Sequence, residues 1–210
     1  MAEYLSYTGS AFVAIFVIVD PFSVVPVYLT LTQGHSEAQR RATRLKASVI
    51  AAFILMAFAV SGMGVFNLFG ITLPAFRIAG GLMLLSLGLA QLNSSRDRVK
   101  QEEEKEGLEA DDISVFPLAT PLLAGPGAIS TVVLYASEAG NWQHLTGLII
   151  AIVGTITASF AMLRVAPWVF RVLGRTGINI FSRLMGIILT AVAVQFIIDG
   201  LAEAAKIYFK

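Results

Sequence analysis

Phe16-Val17-Ile18-Val19-Asp20-Pro21-Phe22-Ser23-Val24-Val25-Pro26 lies in the middle of one long apolar run, and Phe116-Pro117-Leu118-Ala119-Thr120-Pro121-Leu122-Leu123-Ala124-Gly125-Pro126 lies in the middle of another. Both share the frame Phe-x-x-x-x-Pro-x-x-x-x-Pro. A proline lacks the backbone donor, and its ring clashes with the carbonyl of the preceding turn, so two prolines at mid-run predict a helix broken there. The frame predicts unwound segments at Phe22–Val25 and Leu122–Gly125. Interrupted hydrophobic spans at matching places in two halves of a chain point to a transporter's binding site.

The flanking sequence makes the bilayer the solvent. The chain has 210 residues, 56% hydrophobic and 14% charged, with a mean hydropathy of +0.76. A soluble domain averages about 45–50% apolar and about 25% charged residues. Arg77 is the only charge between Ala47 and Leu92, and Glu138 the only one between Ile113 and Leu163. Helices without polar faces do not suit a soluble fold. There are no cysteines, which excludes disulfides and thiolate metal sites. The net charge of +1 gives no basic face for nucleic acid. Met1-Ala2-Glu3 lacks the basic start of a secretory signal, so the first run is expected to be a retained membrane helix.

Runs of about 20 apolar residues mark spanning helices. Six are expected: Leu5–Gln33, Ala47–Phe69, Leu73–Leu92, Ile113–Ala136, Leu145–Leu163 and Ile178–Ala202. The fold class is thus an all-α integral membrane protein, one membrane domain with a first three-helix repeat over 1–92, a charged linker over 93–112 and a second repeat over 113–210. Three connections on one side carry eleven basic residues: Arg40, Arg41, Arg44 and Lys46, then Arg96, Arg98, Lys100 and Lys105, then Arg164, Arg171 and Arg175. The other side carries Lys206 and Lys210. The excess predicts cytoplasmic basic loops and both termini on the outer, periplasmic side of a cell inner membrane. The linker also holds eight acidic residues from Asp97 to Asp112, as a solvated tether would.

An offset of 100 lays Phe16 on Phe116, Pro21 on Pro121, Pro26 on Pro126 and Thr30 on Ser130. Phe76-Arg77-x-x-Gly80 likewise matches Ser182-Arg183-x-x-Gly186. Three spans per half invert the second half relative to the first, as in inverted-repeat transporters. Arg77 and Arg183, at the starts of their helices, are expected as interfacial anchors or gating residues.

Asp20 is a carboxylate at mid-span, where charge costs about 2.5–3.5 kcal/mol and marks an ion, proton or substrate path. It also suits the N-cap of a half-helix beginning at Pro21, and Thr120 holds the equivalent place. Amides freed after Pro21 and Pro126 would accept an anionic group. Carbonyls of the unwound segments would accept an ammonium group or sodium. Gly125 and Gly127 permit close backbone approach, and Ser23, Thr120, Ser130 and Thr131 add hydroxyls. The expected substrate site therefore comprises Asp20, Pro21, Ser23, Pro26, Thr120, Pro121, Gly125, Pro126, Gly127 and Ser130, and it suits a small neutral zwitterion. Gln195 and Asp199 are weaker candidates. His35 and His144 lack partners at metal-ligand spacing. The stripe Gly147, Ala151, Gly154, Ala158 is expected to serve helix packing.

Asp20-Pro21-Phe22-x-x-Val25-Pro26 resembles the Asn/Asp-Pro-x-Gly-x-x-Pro signature of the MarC/SnatA family, and Phe116 to Ile129 closely matches that family's second signature. Ser23 stands where the family usually has glycine, and Val24 where a polar residue is common. The resemblance covers essentially the whole chain. It implies a membrane protein of a group whose members with an assigned activity carry neutral amino acids such as glycine and alanine, within the lysine-exporter superfamily. The function expected is an alternating-access secondary transporter, with a coupling proton or sodium ion left open. A passive channel and a non-transporting scaffold are the alternatives. No catalytic set, metal cluster or nucleotide-binding loop stands out, so neither an enzyme nor a bound cofactor is expected. The expected partners are the small-molecule substrate and the lipid bilayer, without nucleic acid. A homo-oligomer is left open.

Overall fold

The computed structural model describes residues 1–92 and 112–208. Nearly all of the linker expected over 93–112 lies outside them, Asp112 excepted. The described residues are helical, without strands. The helices are α1 (Ala2–Val19), α2 (Pro21–Leu31), α3 (Glu37–Phe69), α4 (Leu73–Leu92), a loosely wound π-type segment α5 (Ser114–Leu123), α6 (Pro126–Glu138) and α7 (Trp142–Tyr208). Gly174, with φ of 60° and ψ of −176°, divides α7 into two arms, Trp142–Gly174 and Thr176–Ile207. A left-handed φ in mid-helix is a place for glycine, which has no Cβ to clash.

Four helices are long and apolar enough to cross a membrane among the described residues: Glu37–Gly62, Leu73–Leu92 and the two arms of α7. The count rises to six if each bent pair, α1 with α2 and α5 with α6, is one span. The pairs bend by 40° and 55°. Such bends deflect a helix without reversing it. Large apolar side chains such as Phe53, Val60 and Trp168 face outward, as expected of a surface solvated by lipid.

Two expectations about boundaries are corrected. Arg40, Arg41, Arg44 and Lys46 lie within α3, not in a loop. The helix starts early because Ser36 and Gln39 form a reciprocal cap. Ser36 N–H donates to Gln39 Oε1 at 2.8 Å, and Gln39 N–H to Ser36 Oγ at 3.3 Å. Arg164 and Arg171 are likewise helical, on the first arm of α7.

The core is built on close backbone approach. A Cβ on Gly81 would meet the Ala193 carbonyl at 2.8 Å, and one on Gly88 would meet Thr190 Oγ1 at 2.4 Å. These contacts hold α4 against the second arm of α7, and membrane helices pack through such small residues. The stripe on the first arm of α7 receives α1: Gly147 faces Thr8 and Gly154 faces Phe12.

Candidate functional site

The two interruptions differ in kind. The first is a single residue. Asp20, 1% exposed, has φ of 44° and ψ of 66°, ending α1 and starting α2. Aspartate tolerates this left-handed conformation better than most residues. Its carboxylate accepts from Ser23 N–H at 3.4 Å and from Ser23 Oγ–H. Ser23 Oγ also lies 2.7 Å from Ser182 Oγ on the second arm of α7, and Phe22 stacks on Phe181 at 5.2 Å. The expected unwinding of Phe22–Val25 does not occur, since those residues are helical and Pro26 sits inside α2. Pro26 falls one turn after the N-terminus, so its missing donor removes only one helical hydrogen bond.

The second interruption is longer. Phe116 and Thr120 are extended, the peptide bonds before Pro117 and Pro121 are cis, and Ala124 N–H returns to Ala119 O at 2.8 Å. Leu122 and Leu123 remain within α5, so the gap itself is Ala124–Gly125. Thr120 does not cap the following helix, because its hydroxyl donates to Val115 O at 3.3 Å. The N-cap of α6 is Gly125, which has no side chain to offer. A Cβ on Gly125 would stand 2.3 Å from the Pro121 carbonyl oxygen, which fixes glycine there.

A cavity of about 230 Å³ lies between the two interruptions. Ile18, Val19 and Val24 line it beside the first, and Pro121, Leu122 and Gly125 to Ala128 line it at the second. Ser86, Leu87, Ala90 and Gln91, from the last two turns of α4, form a third wall, and Leu189 of α7 closes it. Of the expected site residues, Pro121, Gly125, Pro126 and Gly127 line this cavity. Asp20, Pro21, Ser23, Pro26, Thr120 and Ser130 do not; Asp20 is next in sequence to the lining Val19. Ser130 is buried against Gly80 of α4. Ser86 and Gln91 went unrecognised in the sequence, where each is an isolated polar residue in an apolar helix.

α4 and α6 run antiparallel. Arg77 meets Glu138, Gly80 faces Ser130, and Gly127 faces Leu84 and Leu87. The N-terminus of α6 therefore points along α4 toward Gln91. The positive end of the α6 dipole and its unpaired first amides act at that cavity wall.

At the other end of α4, Arg77 pairs with Glu138 of α6 and, at 3.2 Å, with Glu203 of α7. Its side chain is 17% exposed. Arg183 is exposed near the start of the second arm of α7. Nearby on the Arg77 side, Tyr7 donates to Tyr135 O at 2.7 Å and stacks on His144 at 4.4 Å. Gln195 Nε2 donates to Asp199 Oδ1 at 2.8 Å. On the Leu92 side, Lys46 pairs with Asp112, and Arg44 reaches Glu37 at 2.9 Å. The Lys46 ammonium, with help from Ser114 Oγ–H, holds the Asp112 carboxyl down at about 2.

Comparison with known proteins agrees with this picture of a multi-pass membrane protein. The chain matches the MarC family integral membrane protein description over residues 5–205. It is 41% identical to a UPF0056 membrane protein of Aquifex aeolicus, covering 98% of this chain and 97% of that one. It is 39% identical to a UPF0056 membrane protein of Methanocaldococcus jannaschii, over 95% and 98% of the two chains. It is 37% identical to the UPF0056 membrane protein YvbG of Bacillus subtilis, over 93% and 94%. No solved structure matches. On these matches and on its apolar helices, the chain belongs to the MarC family of integral membrane proteins.

Proposed function

We propose that this protein is a secondary transporter of a small neutral amino acid or similar zwitterion. It would work by alternating access in a cell inner membrane, with both termini outside. The observation that carries the proposal is the cavity lodged between two helix interruptions, one of which presents an uncapped helix N-terminus. Transporters place substrate where interrupted helices meet near mid-membrane. Ligand pockets for drug-sized molecules run to about 300–1,000 Å³. A cavity of about 230 Å³ with mostly apolar walls suits a solute of few atoms.

In this proposal each bent pair is one span. Six spans form two inverted halves, 1–92 and 113–210, that rock about the cavity. The cavity lies toward the Leu92 end of α4, and the Arg77 pairs with Glu138 and Glu203 close the Leu73 end. That arrangement corresponds to a state open inward and latched outward, with Arg77 as the outer gate. Arg183 keeps the anchor role. Asp20 is the proposed carrier of a coupling proton or sodium ion. No chemical step is required of any residue, and no cofactor beyond the coupling ion is proposed.

The test is reconstitution in liposomes with labelled alanine and glycine, with and without proton and sodium gradients. Saturable flux that exchanges with unlabelled substrate supports the proposal. Flux that never saturates makes the protein a passive channel, and no flux with any amino acid makes it a scaffold. Tags on residues 1 and 210 reached only from outside the cell support the orientation.

A further inference from the structure

The start of α3 and the end of the first arm of α7 lie at the same end of the molecule. α3 runs with α5 and α6, since Lys46 pairs with Asp112 and Gly62 faces Val133. The first arm turns back from α6, so Tyr135 and His144 both meet Tyr7. It therefore runs against α3. The two helices meet at Arg44, whose side chain is 6% exposed and whose Cζ stands 5.8 Å from the centroid of the Phe160 ring.

Three arginines gather beyond that contact. Arg41 is one turn from Arg44 toward the start of α3, and Arg164 is one turn from Phe160 toward Gly174. Both are exposed, as is Arg171 two turns further along the arm. Residues three or four apart share a helix face, so Phe160, Arg164 and Arg171 form one stripe on the arm beside α3. Among the described residues no carboxylate pairs with Arg41, Arg164 or Arg171. Glu37 and Asp112, at the same end, are already held by Arg44 and Lys46. The seam thus presents guanidinium groups that call for an anion from outside the chain.

The second observation is depth. Trp168, 63% exposed, lies between Arg164 and Arg171 on the arm. An exposed tryptophan near the end of a span marks the headgroup level. Arg164 then sits about 6 Å, one turn, on the hydrocarbon side of that level. A charge there is costly without a counter-charge beside it. The neighbouring surface is apolar, with Leu45, Val49 and Phe53 of α3 and Val165 of the arm all exposed. A small soluble anion would leave that surface uncovered. A phospholipid brings a phosphate to this depth and lays its chains on those side chains. Guanidinium groups match phosphate oxygens in forked geometry.

We propose that the seam between α3 and the first arm of α7 is a binding site for an anionic phospholipid. The headgroup phosphate lies on Arg41 and Arg164, Arg171 stands on the water side of it, and Trp168 packs at the glycerol level. The site is independent of the transport proposal and holds whether or not the protein carries a solute.

Trp142 and Trp168 are the only tryptophans. In the full chain with Trp142→Phe, Trp168 alone reports on the lipid beside it. The protein is reconstituted in phosphatidylcholine vesicles that contain a minority of dibrominated phosphatidylglycerol or, in the matched sample, dibrominated phosphatidylcholine. Bromine quenches a tryptophan in contact with it, so the two samples give the relative affinity of the site. Phosphatidylglycerol is expected to be preferred by at least about fivefold, and Arg41→Gln or Arg164→Gln should each lower the preference by about fivefold. Lys206→Gln, at the opposite end of α7, should leave it unchanged. Equal quenching by the two lipids overturns the site, as does a preference that survives both arginine substitutions. A preference that Lys206→Gln lowers as much as Arg164→Gln reports general charge attraction and also overturns it. Relief of quenching by millimolar inorganic phosphate would make the seam a free-anion site and overturn the lipid assignment.

Discussion

At Asp20 one residue does three local jobs: it ends α1, takes a left-handed backbone, and caps α2 through Ser23. Asparagine tolerates the same backbone and caps a helix about as well. Asp20→Asn should therefore fold and unfold in detergent close to wild type. Asp20→Leu loses the cap, about 0.5–2 kcal/mol, and forces a bulky residue to positive φ, so its thermal midpoint should fall clearly below that of Asp20→Asn. If Asp20 also carries the coupling ion, Asp20→Asn should lose gradient-driven uptake while keeping exchange of labelled for unlabelled substrate. Asp112 supports a second prediction at this scale. Its carboxyl is held near 2, below its ordinary value of 3.8, first by the Lys46 ammonium. The depressed value means that the contact's contribution is fully present above about pH 4 and is lost as pH falls through about 2. Carboxyl NMR should show Asp112 titrating near 2, and Lys46→Met should move the midpoint upward. The cap at Asp20 was legible in the sequence, because an aspartate before an N1 proline suits a helix start. Gln91 was not, because a lone amide near the end of an apolar helix gives no sign in the sequence of the cavity that its residue lines.

The elements were legible wherever hydropathy set them, and the spans of α3, α4 and α7 fall close to the apolar runs. Proline spacing placed the interruptions but overstated the first, since Pro26 is carried inside α2. The repeat frame also implied like caps, whereas Asp20 caps α2 and Gly125 caps α6. Such differences depend on φ and ψ at single residues, which proline spacing does not specify. The capping box at Ser36–Gln39, by contrast, was readable in advance and would have moved the start of α3 from Ala47 to Glu37. The gap before α6 yields its own prediction. In Gly125→Ala the new methyl would meet a backbone oxygen 2.3 Å away, whereas in Gly127→Ala it would meet the Leu84 Cδ2 methyl at 2.8 Å, the end of a side chain that can turn. Overpacking costs about 1–3 kcal/mol. Gly125→Ala should sit at or beyond the upper end of that range and Gly127→Ala at the lower, compared as thermal midpoints in one detergent.

Across the whole molecule, the cavity and the Arg77 cluster sit at opposite ends of α4, and Ser130 lies between them on α6. A transporter that alternates must open one end as it closes the other, so the closing contacts cannot be too strong. Arg77 is mostly buried, but its partners Glu138 and Glu203 are each more than a third exposed. Exposed ion pairs contribute about 0.2–1 kcal/mol, which a ligand's preference for one state can outweigh. If the protein alternates as proposed, Arg77→Gln should therefore shift the population toward an outward-open form without unfolding the protein. The absence of native cysteine makes this measurable with one introduced thiol. Ser130→Cys replaces a buried hydroxyl by a group of similar size, between gate and cavity. A membrane-impermeant maleimide added on the Arg77 side should label it slowly in the otherwise native protein and at least about tenfold faster with Arg77→Gln. Saturating alanine, if it favours the occluded state, should slow both. Equal labelling rates would show that Arg77 only anchors the ends of α4, α6 and α7, and that the outward path is controlled elsewhere.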